Sequence, residues 1–186
     1  MKLSVSARSL EKKRETKRIR RDGKIPAVLY SGGKEGSAIA VDANQFQAHL
    51  RQLKKGHLPT SKFALVDENG KTREAIIKDI QYHPTTYSVV HLDFEELHSD
   101  ARVNVKVPIE CTGVADCPGI KLGGVLRQVI RYLKINCFPK DIPSSFQVDI
   151  SSLGIKESMR LKDIKIAESI RPLVDLNEVA VAIVKR

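Results

Sequence analysis

Apolar residues occupy every second position in a series of short runs, and each run is stopped by Gly, Pro or an Asn-Gly pair. Leu3, Val5 and Ala7 alternate with Ser4 and Ser6, and Val103, Val105, Val107 and Ile109 repeat the spacing far downstream. A period of two is that of a strand with one buried face. Runs this short and this often interrupted describe a mainly β chain with a few helices. At 186 residues, 41% of them hydrophobic and 29% charged, the chain has the makeup of a soluble protein that buries a core, and its length suits two small domains.

The first half reads as strands around one helix. Residues 3–7 are a strand. Pro26 opens the apolar run Ala27, Val28, Leu29 and Tyr30, which Ser31-Gly32-Gly33 stops, and residues 38–41 form the next short strand. Asp42 has the character of an N-cap, and Gln45 three residues on completes a capping box for a helix over 42–55. Phe46, Leu50 and Leu53 then share a face, and Gly56 supplies the stop. Residues 62–66 and 72–82 flank Asn69-Gly70, a hairpin signal, and His83-Pro84 ends the second arm. Residues 88–96 form another strand, with Val90, Leu92 and Phe94 on one face and Val89, His91, Asp93 and Glu95 on the other.

Alternation fails over residues 96–100, which places a boundary between a domain of residues 1–97 and one of residues 98–186. The second is read as all-β: Val103 to Ile109, then a strand-like stretch over 125–138 broken by Pro139 and Pro143. Phe146, Val148 and Ile150 follow, with Ala180, Ala182 and Val184 or their alternates at the end. Residues 153–166 fit helix or loop equally.

Charge is unevenly placed. Residues 1–24 hold ten Lys or Arg against three Asp or Glu, a net of +7 out of +10 for the whole chain. Within this stretch, residues 11–21 contain one apolar side chain, Ile19, so the segment has no face of its own to bury and is expected to need a partner to order it. A one-sided cluster of Arg8, Lys12, Lys13, Arg14, Lys17, Arg18, Arg20 and Arg21 attracts a polyanion, and each phosphate it neutralises releases counterions. Nucleic acid is the expected partner, with Arg forks on phosphate oxygens and Lys as point charges.

A second group, Gln81, His83, His91 and Asp93, becomes neighbours if the strands on either side of residues 84–87 pair. Gln and His can donate and accept at a base edge, and Asp accepts from an exocyclic amine. His91 and Asp93 could equally act as an acid–base pair in a small hydrolase or ligate a metal, but spacing supplies neither a nucleophile nor a third ligand. The segment Ser31-Gly32-Gly33-Lys34-Glu35-Gly36-Ser37 fails the phosphate-loop pattern, because Ser37 and not Lys follows Gly36. Cys111, Cys117 and Cys137 form an odd set without C-x2-C spacing, so reduced thiols are expected, with no disulfide framework, metal or cofactor. No apolar window approaches the ~20 residues of a membrane span, no secretory signal is expected, and one Ile in residues 11–21 is too little for a membrane-surface helix. A DNA regulator would need a basic recognition helix, whereas the best helix, residues 42–55, is not the basic segment.

Arg20-Arg21-Asp22-Gly23-Lys24-Ile25-Pro26-Ala27-Val28-Leu29-Tyr30 and His91-Leu92-Asp93-Phe94, with Gln81 and His83-Pro84 between them, resemble the bacterial large-subunit ribosomal protein L-twenty-five family, also called the CTC general stress protein family. The motifs cover residues 1 to about 96, and length and strand order extend the resemblance to the long form with a C-terminal β domain. The resemblance implies a six-stranded β-barrel with a few helices that binds the loop E region of 5S rRNA across its minor groove, in the cytoplasmic ribosome, without catalysis. Arg8, Lys13, Arg18, Arg20 and Arg21 then face the RNA backbone, with Arg14 and Lys17 in the same basic arm. Tyr30, Ser31, Lys78, Gln81, His83, His91 and Asp93 line the binding face, and the second domain meets other large-subunit components. The alternative is a generic nucleic-acid-binding stress protein.

Overall fold

The computed structural model describes residues 1–8, 13–32 and 36–185, with the side chains of Lys13 and Arg14 outside the description. The chain forms two compact units, Met1–Ala101 and Arg102–Arg186. The division falls four residues beyond the boundary at 97/98: His98 Nε2 bonds Ser31 Oγ within the first unit, and Ala101 N donates to His98 O.

The first unit is a closed six-stranded barrel. Its strands are β1 (Lys2–Ala7), β2 (Lys24–Tyr30), β3 (Ser37–Asp42), β4 (Lys62–Asp67), β5 (Thr72–Tyr82) and β6 (Val89–Glu96), in the order β1-β3-β2-β6-β5-β4. β1 runs parallel to β4 and β2 parallel to β6, while the other pairs are antiparallel. Closure leaves no strand edge bare, which a sheet this small needs. Leu3, Val5, Leu29, Val41, Phe63, Leu65, Leu92 and Phe94 fill the interior. Phe63 meets Phe94 edge-on at 6.3 Å and Phe46 at 6.4 Å, and all three rings are fully buried. Burying each contributes on the order of 2 to 3 kcal/mol.

Helix α2 (Ala43–Gln52) closes one end of the barrel with Phe46, while Leu50 and Leu53 pack at its margin. Asp42 Oδ1 accepts from Gln45 N as an N-cap does, but the capping box is not formed. The Gln45 side chain accepts the Ser4 amide instead, at 2.9 Å, tying the helix to β1. The helix stops at Gln52, short of Lys55, because Leu53 turns extended; Gly56 takes positive φ in the following turn. The β4–β5 hairpin turns through residues 68–71, with Gly70 at φ +75.

Two bulges between β5 and β6 decide which residues face out. Ile77 pairs with Phe94 but Asp79 with Asp93, so Lys78 is an extra residue on β5; Gln81 pairs with His91 but Tyr82 with Val89, so Val90 is extra on β6. An extra residue reverses the in–out parity beyond it. Strict alternation from Ala75 and Ile77 would send Asp79 and Gln81 inward; with the bulge, Ile80 takes the inner position. On β6 the second bulge turns Val89 toward the core, opposite to the face expected from alternation.

Residues 13–21, expected to lack order of their own, form helix α1 (Lys13–Arg21), packed against β2. Glu15, Thr16 and Ile19 are half-buried there. Glu15 in the first turn and Arg18, Arg20 and Arg21 in the last complement the helix dipole, which offsets the thin apolar face. Lys12 lies outside the described residues.

The second unit has two sheets. One, ordered β10-β7-β9-β12, contains β7 (Val103–Thr112), β9 (Tyr132–Cys137), β10 (Phe146–Asp149) and β12 (Arg171–Pro172). The other, ordered β11-β13-β8, contains β8 (Gly124–Gln128), β11 (Ser158–Arg160) and β13 (Val179–Lys185). One short helix, α3 (Pro118–Lys121), precedes β8. Residues 125–138 are two strands in different sheets, and residues 153–166 hold a short strand and a 3-10 turn. On β13 the core takes Val181 and Ile183 with Ala180, and Val184 is exposed. Cys111, Cys117 and Cys137 are free thiols.

Candidate nucleic-acid interface

The outer wall of the barrel across β2, β6 and β5 gathers most of the polar residues singled out by sequence. Register puts Gln81 opposite His91, Asp79 and Val28 on either side of Asp93, and Tyr30 beside Glu95. His91 Nδ1 lies 2.8 Å from Asp93 Oδ1. The contact sets an imidazole against a carboxylate by proximity, and the buried Nδ1 makes no well-directed hydrogen bond.

His83 is held differently. Its Nδ1 accepts from the Thr85 and Thr86 amides at 3.4 Å and lies 3.0 Å from Thr85 Oγ1, so the proton of this tautomer sits on Nε2. One wall thus gathers two imidazoles and the Gln81 amide, which both donates and accepts.

Lys78 and Tyr30 bring different properties. The Lys78 ammonium sits 2.6 Å from Glu95 Oε2 and is half-buried, so it is a neutralised part of the wall and not an open cation. Burial, followed by the carboxylates of Glu95, Asp93 and Asp79, raises the Tyr30 phenol above its usual range and keeps it a donor. Ser31 Oγ bonds His98 Nε2, a residue the motif reading passed over.

The basic residues divide into two groups. Arg8 does not stand open: its Nε donates to Ile39 O at 3.1 Å and an Nη to Ala27 O at 3.5 Å, stapling β1 across β3 toward β2. Lys17, Arg18, Arg20 and Arg21 are exposed along α1, Arg18 to 84% of its side chain with only a loose contact to Asp22 at 3.8 Å. Arg20 donates to Val90 O at 3.2 Å, using a carbonyl at the β6 bulge and fastening the helix beside the polar wall. An Arg has five donors, so this bond leaves others for phosphate.

Residues 3–94 match the Ribosomal L25p family, and residues 102–186 match the C-terminal domain of ribosomal protein TL5. The chain is 48% identical to large ribosomal subunit protein bL25 of Chlamydia muridarum, 49% to that of Chlamydia abortus and 50% to that of Chlamydia trachomatis serovar L2, in each case over the full length of both chains. The chain belongs to the ribosomal L25p family. It is a structural ribosomal protein, long form included, and not an enzyme. Among the described residues no Ser, Thr or Cys hydrogen-bonds the His91 ring, whose Nδ1 lies 2.8 Å from Asp93 Oδ1.

Sequence reasoning missed two kinds of residue at this wall. Glu95 faces the Lys78 ammonium, and the exposed Asp79 stands opposite Asp93, an adjacency that only register reveals. Tyr82 and Tyr87, 51% and 78% exposed, flank the 83–86 turn, and aromatic scarcity drew attention away from them. Among the described residues no group of three or more His, Cys, Asp or Glu is arranged to hold a metal, and no helix is long and apolar enough to cross a membrane.

Proposed function

We propose that this ribosomal L25p-family chain is a component of the large ribosomal subunit in the bacterial cytoplasm that binds 5S rRNA at its loop E region, through α1 and the outer wall of β2, β6 and β5. Residues 1–97 do the binding, and residues 98–186 meet other large-subunit components. The single observation that carries the reading is the Arg20–Val90 bond, which sets an open row of cations directly beside a wall of fixed donors and acceptors. Lys17, Arg18, Arg20 and Arg21, with Lys13 and Arg14 before them in the helix, serve the phosphates. Tyr30, Gln81, His83, His91 and Asp93 read base edges and 2′-hydroxyls. Arg8, Ser31 and Lys78 hold the wall in shape.

Double-stranded RNA favours such a reader because its minor groove is wide and shallow, whereas its major groove admits no side chains. The test is a competition gel shift of the full chain on 5S rRNA against an equal-length RNA whose loop E is replaced by a regular helix. Tighter binding to the intact loop is expected. Equal binding would leave a generic polyanion binder, and the proposal would fall.

A further inference from the structure

Tyr87 is the most exposed large hydrophobic side chain of the described residues, and it sits on backbone that a non-glycine residue seldom adopts, at φ +54. Positive φ brings Cβ against the carbonyl and costs stability, so it persists only where the surroundings impose it. Here they do. Tyr87 N donates to His83 O at 2.9 Å and His83 N to Ser88 O at 2.8 Å, while Thr86 Oγ1 bonds Ser88 Oγ at 2.8 Å and the His83 ring gathers the Thr85 and Thr86 amides. A six-residue connection is thus built as a rigid turn that holds one ring in solvent.

The position of the turn gives the ring a use. His83, Ser88, Val89 and Val90 line a shallow cleft of about 240 Å³ together with Arg20 and Lys24. The turn that holds Tyr87 therefore shares a wall with the C-terminal end of the cationic helix. A solvated ring carried on the turn that walls a cationic cleft suits a nucleobase, whose face stacks on an aromatic while its phosphate meets the arginines. Little ordering entropy remains to be lost on contact, because the turn is already fixed.

We infer that Tyr87 is a stacking platform for a base of the bound RNA at the edge of the α1 cleft. The inference deepens the RNA-binding reading above and rests on it. It is specific to the ring plane, since neither a hydroxyl nor aliphatic bulk would serve.

The test measures binding of the full chain and of Tyr87→Phe, Tyr87→Leu, Tyr87→Ala and Tyr87→Gly to 5S rRNA and to the loop-replaced RNA over a range of salt. Phe should bind like the parent. Leu, Ala and Gly should each weaken binding roughly 5- to 150-fold, the range for loss of one base stack. The slope of log K against log salt should stay unchanged, because no phosphate contact is lost. Gly relieves the backbone, so an unchanged or raised Tm with weakened binding separates stacking from folding. Parent-like affinity of Ala or Leu, or loss accompanied by a shallower salt slope, would overturn the inference. Failure of the parent to prefer intact loop E would instead strike the 5S rRNA reading alone, since loss of stacking on either RNA is scored independently.

Discussion

Replacing Arg18, Arg20 and Arg21 together by Gln perturbs the cationic row without removing its helix, because Gln retains good helix propensity and adds no new charge. Arg18, loosely paired with Asp22, and Arg21 are exposed, and Arg20 keeps donors beyond the one given to Val90 O. If each meets one phosphate of a duplex, the slope of log K against log salt should become shallower by about 0.9 per residue, or about 2.7 in all. Between 50 and 200 mM salt, a change of about 0.6 in log salt, the parent should then lose roughly 40-fold more affinity than the variant. Filter binding of both proteins to 5S rRNA at four or more salt concentrations reads this directly, with far-UV circular dichroism as the check that the barrel is intact. Parallel lines would refute the reasoning, whatever the affinity at one salt, because they would mean that none of the three displaces counterions.

The remaining expectations concern the wall and the two folds. Asp93→Ala should remove an acceptor from the wall beside His91, reducing preference for intact loop E by about 1 to 3 kcal/mol in competition assays with little change in salt slope. Equal loss on both RNAs would show a contact without selectivity. Tyr30 should ionise above the ordinary range of a tyrosine phenol in a spectrophotometric titration, a late step absent in Tyr30→Phe. The raised phenol pKa means that its contribution to stability is complete below about pH 10 and is lost as pH rises through the folded-state value, so Tyr30→Phe should flatten alkaline denaturation. In the second unit Lys106 faces Lys134 directly across β7 and β9. Lys134→Glu should therefore raise stability by roughly 0.2 to 1 kcal/mol in urea unfolding, less at high salt, and a decrease would show that the pair is not in repulsive contact.

Most strand positions were legible because period-two alternation is a local record of burial, and Asn69-Gly70 and the Asp42 cap are local chemistry as well. The basic arm was legible for the same reason: ten cations in 24 residues need no fold to be noticed. Gln81, His83, His91 and Asp93 could be named from residue type and motif, yet which of them share a face could not be derived from spacing. That was decided by the extra residues Lys78 and Val90, whose bulges reverse parity and bring Asp79 and Gln81 out beside His91 and Asp93. Bulges answer to twist and closure of the whole barrel, so no short window carries them. Arg8 shows the same limit. Its charge was plain from the sequence, but only the tertiary structure turned its guanidinium onto the Ile39 and Ala27 carbonyls and left the open cations to α1. Composition and periodicity by themselves determined a basic, mainly β chain. Register, which couples residues dozens of positions apart through backbone hydrogen bonds, decided which of its polar side chains stand together.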